Sequence, residues 1–300
     1  MRIRPFLPIV LAAAIAVLAP TALAATPKAD ELLKRSAAAL NKKDTLHLDL
    51  ELGTTARTDG TLTAAQVRKL VPPVKISARG DLSPSAVVFA GKLDTGGQAL
   101  AAELRLSGKE IYVNLFGVWY GTKDVDAKDG NGINLNVKPK ELTGSLRELL
   151  ASGFEAKVDP GPEADGVETW KLTGSFAGPA LAKALKSTGA TTNAKEVSRL
   201  AEKADVTILI GREDDLPRRI EISTTLSGSD LTTASSTTQG LVPLPKSGTK
   251  GLKAVTVSIV VQLSKFGQKV AFERPAKFKP LDKLFEALLG GIGGAAKTTA

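Results

Sequence analysis

Groups able to do chemistry are few in this chain, and they are poorly spaced for it. The single histidine, His47, stands two residues before Asp49 in LHLDLEL. A Ser-His-Asp triad would have to use that imidazole as its base. No serine sits in the G-x-S-x-G setting of a nucleophile elbow, so His47 reads as a solvated or hydrogen-bonded side chain. Asp124, Asp126, Asp129 and Asn131 crowd into DVDAKDGNG, where several oxygens in a glycine-rich loop could hold Ca²⁺. Here the third acid falls one residue late, and Leu135 occupies the twelfth position, where an EF-hand places its bidentate glutamate. A plain turn fits better. Glu213-Asp214-Asp215 reads as a hairpin turn, and nothing singles out a carboxylate pair for sugar hydrolysis. Cysteine is absent, which removes thiol catalysis, Cys-based zinc sites and lipid attachment at cysteine. No enzyme, metal or cofactor is expected.

The elements that carry these residues are more informative. In LHLDLEL, Leu46, Leu48, Leu50 and Leu52 point one way, and His47, Asp49 and Glu51 the other, because a strand switches face at every residue. A helix precedes it: Thr26-Pro27 opens the segment, Ala29, Leu32, Leu33, Ala37 and Leu40 share a face, and residues 41–44 end it. Residues 53–73 read as irregular, with a short helix at 63–70. Val74, Ile76, Ala78 and Leu82 alternate with polar residues. Strands follow at 86–93, at 100–106 (with Leu104), and at 111–120 (with Ile111 and Val113). Turn signals between them argue for an antiparallel meander. Leu142, Leu146, Leu149 and Leu150 make a helical stripe. Strands resume at 154–158 and 167–176, short helices are expected at 178–186 and 193–203, and strands return around 206–210, 220–226 and 255–263. A final helix carries residues 281–289. In all, about ten strands and five short amphipathic helices are expected.

Of the 300 residues, 43% are hydrophobic and 4% aromatic, and the net charge is +9. Such a chain can build a sizeable core lined by small and aliphatic groups. Residues 1–24 read as an export signal: Arg2 and Arg4, an apolar run over 6–18, then Ala22-Leu23-Ala24 before the cut. Residues 25–289 form one domain in this reading, and 290–300 a loose tail. The lysines are scattered without interleaved aromatics, so no nucleic acid is expected as a partner. A basic exported protein could still meet anionic lipid.

The order of the pieces resembles a known family. ADELLKRSAAALNKKDTLHLDLEL, ARGDL, IYVNLFGVWY, ELTGSLRELLASG and DGVETWKLTGSF are similar to segments of the LppX/LprG-type lipoproteins of actinobacterial envelopes. The likeness spans roughly residues 29–226 and continues more loosely to 289. It implies a LolA-like α+β fold: a large curled antiparallel half-barrel with short helices over its concave face. It also implies a non-enzymatic carrier that shelters acyl chains of an envelope lipid or lipoglycan. One departure matters. Leu23-Ala24-Ala25-Thr26 places Thr where the family's lipid-bearing Cys stands, so a soluble, monomeric carrier of the envelope space, touching membranes transiently, is the consistent expectation. Leu46, Leu48, Leu50, Val74, Ile76, Leu104, Ile111 and Val113 are then the cavity wall, and Leu142, Leu146, Leu149 and Leu150 its lid. The alternative is a surface interaction module whose helices fill its core completely.

Overall fold

The computed structural model describes residues 26–71, 73–94, 99–123, 154–176, 204–227 and 250–284. The expected signal segment, the DVDAKDGNG loop, the lid leucines, the helices at 178–186 and 193–203 and the tail lie outside them.

Helix α1 (Ala29–Asn41) is followed by β1 (Leu46–Thr58), the short helix α2 (Ala64–Leu70), β2 (Lys75–Leu82), β3 (Ala86–Asp94), β4 (Ala99–Ser107), β5 (Glu110–Leu115) and β6 (Val118–Thr122). Then come β7 (Phe154–Pro160), β8 (Thr169–Phe176), β9 (Ala204–Gly211), β10 (Pro217–Ser227), β11 (Leu252–Ser264) and the two-residue β12 (Lys279–Pro280). All twelve strands join one sheet in the order β12-β6-β5-β4-β3-β2-β1-β11-β10-β9-β8-β7. Every pairing is antiparallel except β12 with β6. The α+β class expected from the sequence is therefore the one found, and the sheet is open.

Three local expectations are corrected. Helix α1 begins at Ala29 behind Lys28, which makes no side-chain cap bond, instead of at Thr26-Pro27. Asp30 and Glu31 in its first turn supply the negative charge that a helix N-terminus favours. The region from 53 is not irregular from its start: Gly53 to Thr58 continue β1, because β11 pairs with them, in step as far as Arg57 and past a one-residue slip at Thr58. IYVNLFGVWY is a hairpin, not one strand. Phe116 and Gly117 both take positive φ, +53° and +78°, as a two-residue turn matched to strand twist requires. The short helix near 63–70 forms as expected, closed by a capping box between Thr63 and Gln66.

Register places the apolar residues of all the long strands on one face. The row Val158, Leu172, Ile208, Ile220, Val261, Leu50, Ala78, Gly91, Ala102, Leu115 and Val118 crosses eleven strands without a charged residue. At one end of this inner face α1 presses Leu32, Leu33, Ala37 and Leu40 into a buried cluster with Leu46, Leu82, Val87, Leu106, Ile111, Leu172 and Ile208. Each large aliphatic buried there contributes about 1.5–3 kcal/mol. Ile111 on β5 and Leu172 on β8 sit eight strand positions apart, roughly 38 Å along a flat sheet. A helix about 10 Å across shares one buried cluster with both because the sheet coils around it, as wide twisted sheets do.

After β11 the chain crosses the outer face. Phe272 and Phe278 pack on Tyr112, whose ring is fully buried, with centroids 6.3 Å and 5.0 Å away. Arg105 stacks on Trp119 at 4.6 Å and donates to the Glu273 carbonyl at 2.6 Å. The chain then rounds the sheet edge as β12 and places Leu284 against Leu115 and Tyr120 on the inner face.

Candidate functional site

The inner face has two zones. Under α1 the aliphatic residues are sealed. Towards the far end of the strands the same face continues as the row Ile222, Ile259, Leu52, Ile76, Leu93 and Leu100, on β10, β11, β1, β2, β3 and β4. These six are all half-buried. Five strand spacings make the row roughly 24 Å long. Ile259, Leu52, Ile76 and Leu93, in its middle, belong to none of the buried clusters formed by the described residues. Beside them runs a lane of small residues, Ala78, Gly91 and Ala102, on three neighbouring strands. A Cβ built on Gly91 would meet only the Ser77 carbonyl at 3.5 Å and the Ala78 Cβ at 3.7 Å. Gly80 differs, because Phe89 lies directly over it. Among the described residues the band is therefore a shallow aliphatic trough, with α1 at one end and Val71, Leu226, Leu252 and Val255 packed with Leu70 at the other.

The residues expected as wall divide between these zones. Leu50 and Ile76 line the trough. Leu48, Leu104 and Val113 are partly buried at the margin of the α1 cluster, and Leu46 and Ile111 lie inside it, 3% and 5% exposed. Val74 is buried beside Thr54, whose hydroxyl accepts its N–H at 3.1 Å. Leu52, Leu93, Ile222 and Ile259 were not in the expected wall. Their alternation was visible in the sequence, but their shared row follows from register, which alternation does not specify.

The other candidate groups are engaged. His47 sets Nδ1 on Asp81 at 2.7 Å and Nε2 on Asp49 at 3.3 Å, both on the outer face. Ser264 is its cross-strand neighbour on β11, but both ring nitrogens already face carboxylates. The 213–215 segment forms the expected turn, in which Asp214 accepts from the Leu216 N–H at 3.1 Å and pairs with Arg218. No group of acids and histidine suited to a metal occurs among the described residues. A polar groove of about 440 Å³ opens on the outer face between Lys171, Arg219, Glu221 and the loop at Glu163 and Asp165. It faces away from the trough and is lined by charge of both signs.

Fold and face together define a class: an open α+β half-barrel whose inner surface is aliphatic and only partly covered by its own described helices. No protein-family model matches the chain, and no curated protein does. Solved structures do. LprF from Mycobacterium bovis matches at 12% identity and a TM-score of 0.49, over 84% of this chain and all of that one. The lipoprotein LppX of Mycobacterium tuberculosis matches at 18% identity and 0.42, over 82% and 98%. A LolA-superfamily protein from Nitrosomonas europaea matches at 11% and 0.19, over 86% and 97%. The first two are of the LppX/LprG type that the sequence resembles. Among the described residues no helix is long and apolar enough to cross a membrane.

Proposed function

We propose that this protein is an exported carrier that shelters the acyl chains of an envelope lipid or lipoglycan in its inner trough and performs no chemistry on them. One observation carries the reading: four large aliphatic side chains, Ile259, Leu52, Ile76 and Leu93, stand in one row on four adjacent strands, half-buried and outside the buried clusters formed by the described residues. A foreign apolar chain laid along that row completes the burial. Exposing a chain of ~16 carbons to water costs on the order of 12 kcal/mol, at about 0.8 kcal/mol per CH₂. A trough that replaces bilayer contacts with aliphatic ones brings transfer close to neutral, as shuttling requires. Leu50, Leu52, Ile76, Leu93 and Ile259 act as wall, and the lane at Ala78, Gly91 and Ala102 gives the chain room. In this reading Leu142, Leu146, Leu149 and Leu150, outside the described residues, form the lid.

The test is gentle purification from the native host followed by mass spectrometry of a solvent extract, with titration of the stripped protein by a fluorescent fatty acid. Stoichiometric lipid and saturable uptake support the carrier. A stable protein that yields no lipid and takes up no probe defeats it.

A further inference from the structure

Six arginines are held by carboxylates: Arg35 by Asp215, Arg105 by Glu103, Arg212 by Glu168, Arg218 by Asp214, Arg219 by Glu221, and Arg274 by Glu110. One corner gathers six cations that are not. Arg57, Arg68, Lys69, Lys75, Lys250 and Lys253 are all exposed, and none forms an ion pair with a described residue. Scattered in sequence, they converge through the fold. Arg57 faces Ala254 across the β1–β11 ladder, and Lys75 faces Gly53 across β1–β2. The chain entering α2 is fastened to the same place: the Asp59 N–H donates to the Gly251 carbonyl at 3.0 Å, and a Cβ on Gly251 would stand 2.8 Å from Leu62 Cγ. The acids nearby are Asp94, which faces Lys75 across β2–β3, Glu51, two residues along β1 from Gly53, and Asp59, whose charge Lys253 helps to stabilise. The Asp59 carboxylate is held by the Thr61 hydroxyl and N–H at 2.5 Å and 2.9 Å.

This corner lies at the end of the strands opposite α1, where the trough runs out. Helix α2, which carries two of the cations, has no buried residue of its own, and the half-buried Leu70 beside them packs on Val71, Leu226 and Val255 at the trough's end. We infer that the α2 corner is the docking surface of the carrier for an anionic phospholipid bilayer, and that it sets this end of the sheet against the membrane from which the acyl chain passes. This rests on the carrier reading and adds its partner surface. Cations within a Debye length of an anionic leaflet each strengthen binding about five-fold, and this corner contributes six of them against three acids, Glu51, Asp59 and Asp94.

The test is co-sedimentation of the full chain with vesicles of pure phosphatidylcholine and with vesicles containing a third phosphatidylglycerol. Binding is expected only to the anionic vesicles and is expected to fall steeply between 0.05 M and 0.5 M salt, roughly from 14 Å to under 5 Å of screening length. Arg68→Gln with Lys69→Gln should weaken it about 25-fold, and adding Lys253→Gln about 100-fold. Lys34→Gln with Lys157→Gln, exposed cations elsewhere, should leave it unchanged. Equal binding to both vesicle types, equal loss in the control pair, or binding only to a soluble polyanion would overturn the inference. Uptake of fluorescent fatty acid from vesicle-free buffer reads the carrier function separately. Uptake without vesicle binding defeats the docking surface alone, whereas binding without uptake defeats the carrier.

Discussion

Arg274 holds Glu110 across 164 residues of sequence, its Nε donating to one carboxylate oxygen at 3.0 Å while Nη2 meets the other. Tyr112, two residues along β5, donates its hydroxyl to the same carboxylate at 3.2 Å. The pair pins the crossing segment to the outer face just where Phe272 and Phe278 seal Tyr112. Arg274 holds the Glu110 carboxyl below its ordinary range, and burial followed by the nearby Glu110 charge raises the Tyr112 phenol.

Acid should loosen this segment in a defined direction. A carboxyl whose folded pKa is depressed contributes stability that is fully present above its unfolded value, and that is lost as pH falls through the folded one. Protection against hydrogen exchange at Tyr120 and Gly121, beside β12, relative to the unfolded chain at the same pH, should therefore fall below about pH 4. Glu110→Gln should raise the exchange rate at neutral pH and flatten the acid limb. An unchanged acid limb in that variant would refute the assignment.

Two glycines should separate packing from function. A Cβ at Gly121 runs into the Tyr112 ring and the Ile111 carbonyl, so Gly121→Ala should cost about 1–3 kcal/mol in denaturant unfolding. Gly91→Ala meets nothing closer than 3.5 Å and should be nearly neutral. Gly91→Leu fills the lane, and it should keep the fold while reducing fatty-acid uptake at least ten-fold.

The trough and the core should respond in opposite ways. Leu52→Asn with Ile76→Asn is expected to abolish uptake with a small change in melting temperature, because both side chains are half-buried outside the packed clusters. Leu172→Ala, at a fully buried position, should cost about 2–5 kcal/mol. Paired calorimetry and titration distinguish the two. If the double variant unfolds as Leu172→Ala does, the row is ordinary core.

Ser36 is fully buried on α1, and its Oγ has no hydrogen-bond partner. Ser36→Ala removes an unsatisfied polar atom and improves helix propensity, so it should stabilise the protein by about 1 kcal/mol. A loss of that size in thermal unfolding would show that Oγ has a partner.

Much of the sheet was legible because alternation is a local signal. LHLDLEL announced its two faces, and Ile76, Ala78 and Leu82 announced theirs. What alternation does not encode is the neighbour. β1 pairs with β11 across some two hundred residues, so the placing of Ile259 beside Leu52 could not be read from either strand. Nor could it be read which end α1 would cover, and that is why Leu46 and Ile111 lie in a sealed cluster while Leu50 does not. The Phe116-Gly117 turn escaped notice because phenylalanine rarely takes positive φ, and the apolar run on both sides of it looked continuous. The basic corner was invisible for a similar reason, since its six cations come from four separate segments.

The two-residue β12 has a consequence for how the molecule behaves in company. An open sheet ends in a row of unmet backbone donors and acceptors, a template on which further copies can add. At the β6 margin the Tyr120 and Gly121 stretch of that row is taken by Lys279 and Pro280, a charged residue and an imino acid with no N–H to offer a next strand. A wide greasy sheet can thus circulate among like chains without stacking into fibres along that side.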